Sequence, residues 1–245
     1  MANKLPRAVF FDLDATLVYF EADLLVKKMA LVCAAMAQQH GVDAEALLGH
    51  HRRLTLDLWS RSEAGTVSGR QVSRDIWRQA LSACGCNAEE AAVVASDMYW
   101  NNRHGVIRLF EDSIPTLEAM RGHFQLAVIT NGPHDMQIDK LEVHGCEGHF
   151  ELFVASSELG ILKPDPRIFA HACDKLGVAP NEAWHVGDSL SADVAGAKAA
   201  GLTAVWLNRT GATRNETQPR PDYEIASLTK LPTLLGIPSQ DIASH

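Results

Sequence analysis

Two carboxylates, Asp12 and Asp14, close the apolar run of "VFFDLDATLVYF". Acids at the tip of a buried strand are costly unless something offsets their charge. Further polar groups stand at or just after the ends of later apolar runs. They are Thr130, Asn131 and Gly132 in "LAVITNG", Lys163 in "LGILKPDP", and Asp188 and Asp193 in "VGDSLSAD". Carboxylates from separate strands can gather a hard cation, and magnesium prefers such oxygen ligands. A hydroxyl, backbone N–H groups at a helix N-terminus and a lysine suit phosphoryl oxygens. Asp12 is then free to act as a carboxylate nucleophile. Asp14 could protonate a leaving oxygen and later take a proton from water. Taken singly, each cluster has a plainer reading. A D-x-D pair can be loop acids, "TNG" is a common turn, most lysines are solvated, and "GDSLSAD" can simply cap a helix. Their joint order points to phosphoryl transfer.

The elements that would place these residues follow from the hydrophobic pattern. "LAVIT" (126–130), "LFVAS" (152–156), "AWHVGD" (183–188) and "TAVWLN" (203–208) are continuous apolar runs, the pattern of buried parallel strands. Helical segments alternate with them at 115–121, 136–144, 166–176 and 191–200. Strand and helix in series predict a doubly wound, Rossmann-like α/β parallel sheet, whose ligands bind beyond the carboxyl ends of the strands. From about Phe20 to Asn102 only amphipathic helical patterns occur, so a separate helical unit is inserted after the first strand. The polar stretch 209–222 precedes a last short strand and helix.

Composition narrows the function classes. A formal net charge of −8 over 245 residues argues against a nucleic-acid polymer as partner. The longest apolar runs fall short of the ~20 residues that span a bilayer, and Asp12 and Asp14 interrupt the first run in a way unlike a signal peptide. Five cysteines without a CxxC pair predict reduced thiols in a cytoplasmic protein. The pair His50-His51 reads as a solvated helix face rather than a ligand pair. No heptad seam or isolated apolar stripe declares an oligomer, and the oligomeric state stays open.

In order and spacing the four clusters resemble the four motifs of the haloacid dehalogenase-like hydrolases, and the resemblance covers nearly the whole chain. It implies a magnesium-dependent phosphatase working through an aspartyl-phosphate. Asp12 would be the nucleophile, Asp14 the acid/base, Thr130 the hydroxyl residue and Lys163 the motif lysine. Asp12, the backbone carbonyl of Asp14 and Asp188 would hold the metal, and Asp193 would orient that shell or the lysine. Leu13, Asn131 and Gly132 would line the phosphate position. Residues 1–19 and 103–245 would form the core, and 20–102 the helical C1 cap of the family. Within that cap Trp59, Arg61 and Arg70 are candidates to reach the leaving group. The cap and the stretch after Lys163 are similar to the branch containing N-acylneuraminate 9-phosphatase and the YjjG/YfnB-type nucleotidases. Ala15 stands where glycine usually follows the second Asp, and reads as a position whose backbone does not require positive φ. The implied partner is a small phosphorylated metabolite, with sugar acid phosphates, nucleoside monophosphates and phosphoglycolate all admissible. Competing readings are a phosphomutase or a 2-haloacid dehalogenase of the same superfamily, a receiver-type signalling protein, and a phosphate-binding protein without turnover. Asp14 and Asp188 both argue against the dehalogenase.

Overall fold

The first strand, β1 (Ala8–Phe11), is buried on both faces, and the fold is built outward from it. A computed structural model describes residues 5–62 and 68–238, with the backbone alone for 58–62. Next comes β2 (Val18–Phe20), then four helices: α1 (Ala22–His40), α2 (Ala44–Ser62), α3 (Gly69–Ala83) and α4 (Glu89–His104). The chain returns through β3 (Ile107–Leu109) and continues as α5 (Ser113–Met120), β4 (Gln125–Thr130), α6 (His134–Glu142), β5 (Leu152–Ala155) and α7 (Ser156–Leu159). It closes with α8 (Pro166–Leu176), β6 (Ala183–Gly187), α9 (Ala195–Ala199), β7 (Thr203–Leu207), β8 (Tyr223–Ile225) and α10 (Leu231–Leu234).

Six strands form one parallel sheet in the order β5-β4-β1-β6-β7-β8. Order reverses at β1, between β4 and β6, and that crevice is where the carboxyl ends of an open α/β sheet receive ligands. The strand period of two decides the layers. Val9 and Phe11 enter one apolar cluster with Leu117 and Met120 of α5, while Ala8 and Phe10 enter another with Ile168 and Phe169 of α8. Helix ends obey local chemistry: Asp165 caps α8, Pro166 opens it, and Gly177 ends it in the left-handed conformation.

The four inserted helices build a third cluster of their own around Val32, Met36, Leu47, Trp77 and Leu81. One element was absent from the sequence reading. β2 and β3 pair antiparallel, Phe20 opposite Ile107, so the chain enters and leaves the helical unit side by side. Three residues per strand are too few to show a periodicity. The reading of His50-His51 as a solvated face needs correction. His51 is 4% exposed, packed against Trp77 and Tyr99, and burial pulls its pKa down to about 4. All five cysteines are unpaired, and among the described residues no helix is long and apolar enough to cross a membrane.

Candidate active site

Asp12 follows the last residue of β1, and its N–H donates to Val186 O on β6. Its carboxylate is almost fully buried and takes a 2.6 Å bond from Lys163 Nζ at Oδ1. Lys163 is 3% exposed and donates equally closely, at 2.7 Å, to Asp193 Oδ1. Asp193 also accepts from His185 Nε2 at 3.0 Å and, at Oδ2, from the Ser189 N–H at 3.0 Å. A cation thus sits between two buried acids, which answers the charge raised by the first motif. Burial would lower the Lys163 ammonium, but Asp12 and Asp193 outweigh it and hold its pKa above the usual lysine range. Burial, with repulsion from Asp193, raises Asp12 despite Lys163. Burial also lifts Asp188, helped by Asp193, to about 6.

Asp12, Asp188 and Asp193 place carboxylate oxygens within 4.8 Å of one another. The donor set is all hard oxygen, and two of its acids have raised pKa values that a divalent cation would relieve. The residues therefore fit magnesium. The oxygens of Asp193 are already engaged by Lys163, His185 and Ser189, which makes it a brace for the lysine and the turn more than a free ligand. Asp188 is placed through its backbone, with Trp206 Nε1 donating to its carbonyl at 2.9 Å. Gly187 is required beside it, because a Cβ there would overlap Asp193 Cγ.

Asp14 is held in another way. Its side chain is 44% exposed, and both oxygens accept from Lys140 Nζ, at 2.7 and 2.6 Å. Gln137 Nε2 adds a third bond to Asp14 Oδ2 at 3.1 Å and also donates to Thr130 Oγ1 at 2.7 Å. Burial pushes Asp14 up, but Lys140 and Gln137 more than reverse it and leave its carboxyl below the usual range. By accepting from Gln137, the Thr130 hydroxyl keeps its own proton for a phosphoryl oxygen.

Lys140, Gln137 and His185 were not anticipated. Gln137 and Lys140 are three residues apart on α6, hence on one face, yet nothing in that helical pattern separates them from solvated polar residues. His185 lies inside an apolar strand and is fully buried through Asp193.

Other anticipated residues are placed as follows. Leu13 has a fully buried side chain, so its backbone is what it can offer a phosphoryl group. Asn131 spans to the backbone of Lys163, donating to its carbonyl at 3.1 Å and accepting from its N–H at 2.8 Å. That side chain fixes the lysine loop. The Gly132 N–H donates to Ser156 Oγ at 2.8 Å. Ala15 corrects the sequence reading: its φ is 57°, so it adopts the left-handed conformation without being glycine. The turn that follows explains it, since the N–H groups of Thr16, Leu17 and Val18 all reach back to Leu13 O.

Beside Asp14 opens a cavity of about 510 Å³ between the sheet and the inserted helices. Tyr19, Phe20, Leu25, Tyr99, Phe110 and Met136 give it apolar walls, with Thr55, Arg103 and Lys140 as polar members. Arg70 is not in this lining; its guanidinium stacks 4.3 Å over Trp100 and lies 3.8 Å from Asp97. Trp59 and Arg61 have side chains outside the described residues.

A family model described as haloacid dehalogenase-like hydrolase matches residues 6–201. The chain is 30% identical to the N-acylneuraminate-9-phosphatase of Rattus norvegicus over 232 residues, covering 94% of this chain and 93% of that protein. Among solved structures, a 2-haloacid dehalogenase from Pseudomonas syringae pv. Tomato superposes with a TM-score of 0.73 at 30% identity, covering 95% of this chain and 99% of that one. A HAD phosphatase from Thermococcus onnurineus gives 0.67 at 30% identity, covering 94% and 98%.

Proposed function

The chain belongs to the haloacid dehalogenase-like hydrolases, and from that membership we propose that it is a magnesium-dependent phosphatase of a small phosphorylated metabolite. The observation that carries this reading is the second carboxylate, Asp14, held at the mouth of a cavity next to the buried Asp12. Attack at phosphorus needs a group that moves protons for the leaving oxygen, and Asp14 would be that group.

Asp12 forms a bond to phosphorus while the bond from phosphorus to the leaving oxygen breaks, and Asp14 gives that oxygen a proton. Lys163 and the Thr130 hydroxyl bind phosphoryl oxygens where negative charge concentrates. In the second half Asp14 takes a proton from water, the water oxygen attacks phosphorus, and Asp12 is released with inorganic phosphate. Asp12, Asp188 and the Asp14 carbonyl would hold the magnesium, with Asp193 behind them. When bound, the ion neutralises phosphoryl charge and lowers repulsion between Asp12 and the substrate. Five unpaired thiols are in keeping with a reducing, cytoplasmic setting.

The test is phosphate release from an aryl phosphate and a panel of phosphometabolites in millimolar magnesium. Asp12→Asn should abolish both turnover and phosphoenzyme, a loss of about 10³-fold or more. Protein inert across the whole panel would end the phosphatase reading. The likeness to a 2-haloacid dehalogenase supports a second assay, halide release from 2-chloropropionate without metal.

A further inference from the structure

Arg103 stands in the last turn of α4 and lines the cavity beside Asp14, where the leaving group of a phosphate ester bound at Asp12 would lie. Its side chain is 1% exposed, and among the described residues its Nη1 has no hydrogen-bond partner. We propose that Arg103 Nη1, with the Tyr99 hydroxyl one turn away, binds a carboxylate carried by the leaving group, so that the substrates are phosphate monoesters of hydroxy acids. This rests on the phosphatase reading.

Much of the guanidinium is already engaged. Its carbon lies 4.6 Å from the centre of the Trp100 ring, and Nη2 donates to Met136 O at 2.8 Å and lies 3.5 Å from Asp139 Oδ2. These contacts anchor the end of α4 to α6 and fix the plane of the group. Anchoring accounts for Nη2 and for the ring face, and it leaves Nη1 unexplained. A buried N–H without an acceptor is costly, and more so when it is charged. Burial disfavours the guanidinium's charge, Asp139 and Asp14 offset part of that, and an anion at Nη1 would offset more. Asp139 is itself shared with His104, at 2.9 Å. Lys140, the other cation of the described lining, gives two bonds to Asp14. Tyr99 precedes Arg103 by four residues, so the two share one face of α4, and both line the cavity. The Arg103 cation also acts on the Tyr99 phenol. A carboxylate has one oxygen for each of these donors and a single charge to match one guanidinium. The neutral amide of the same shape offers one acceptor and no charge.

The test compares 4-phosphonooxybutyrate, 5-phosphonooxypentanoate and 6-phosphonooxyhexanoate with their primary amides, and uses phenyl phosphate to report turnover without a carboxylate. Each acid and its amide share chain length and leaving-group reactivity, so their ratio reads the carboxylate alone. For at least one length, kcat/KM for the acid should exceed that for its amide by about tenfold or more, mainly through KM. Arg103→Met should bring that ratio near unity. Acid and amide are measured on the same variant, so a general loss of activity cancels. If that variant fails to fold, Tyr99→Phe should lower the ratio severalfold. The proposal is overturned if no acid outperforms its amide at any length, or if the ratio survives these substitutions. Phenyl phosphate hydrolysed without any preference for the acids ends this proposal alone. If phenyl phosphate and every other ester stay intact, the phosphatase reading falls, and the proposal with it.

Discussion

Asp12 and Asp14 are two residues apart, yet their surroundings push them in opposite directions. Asp12 is raised by burial, with Asp193 adding repulsion; Asp14 is half exposed and held low by Lys140. Lys140 favours the carboxylate, the form that accepts a proton from water. Removing it lets burial push Asp14 upward, and a base is populated only above its pKa. The low-pH limb of kcat in Lys140→Met should therefore move to higher pH, as a kcat–pH profile beside the parent would show. At Ala15 the left-handed φ carries a cost that glycine avoids, partly cancelled by the freer unfolded chain. Ala15→Gly should stabilise by about 0.5–1 kcal/mol in urea unfolding. The strand-end acids were legible in sequence because charge is anomalous there, and Lys163, in a loop, stood out only by its place in the order of the four clusters. Lys140 and Gln137 were hidden, because polar residues on a helix are ordinary until a sheet edge is brought against them.

Among the elements, α6 has two tasks on neighbouring sides. Gln137 and Lys140 face Asp14, while Asp135 accepts from the Gly69 and Arg70 N–H groups at the start of α3, at 2.7 and 3.1 Å. Asp139 adds a 2.9 Å contact with His104 of α4, and Met136 packs so closely on Gly69 that a Cβ there would overlap its side chain. Gly69→Ala should cost about 1–3 kcal/mol by overpacking. In a Met136→Ala background the same change should cost much less, and a double-mutant cycle in urea would measure the coupling. The central strands and the helices between them were readable from continuous apolar runs and their 3.6-residue counterparts. The seating of α3 and α4 on α6 was not, since it depends on side chains more than thirty residues apart in sequence.

At the scale of the molecule, the sheet and the inserted helices each have an apolar cluster of their own, and the proposed magnesium ligands all belong to the sheet. An ion that binds only the folded sheet stabilises it by mass action, about 2.7 kcal/mol at a hundredfold excess over its Kd. Calorimetric unfolding should move upward with magnesium, and the shift should vanish in Asp188→Asn. If the two units melt separately, only the sheet's transition should respond.

The pairing of Phe20 with Ile107 has a consequence for how such a chain can be cut and rebuilt. Opposed residues in an antiparallel pair stand about 5 Å apart, a gap that a two-residue Asn-Gly turn closes. The whole stretch between them is therefore a cassette with a single doorway. Closing that gap in place of the insert should give a shortened chain that keeps the strand order behind it and loses the contacts of α3 and α4 with α6, which circular dichroism and urea unfolding of the shortened chain would check.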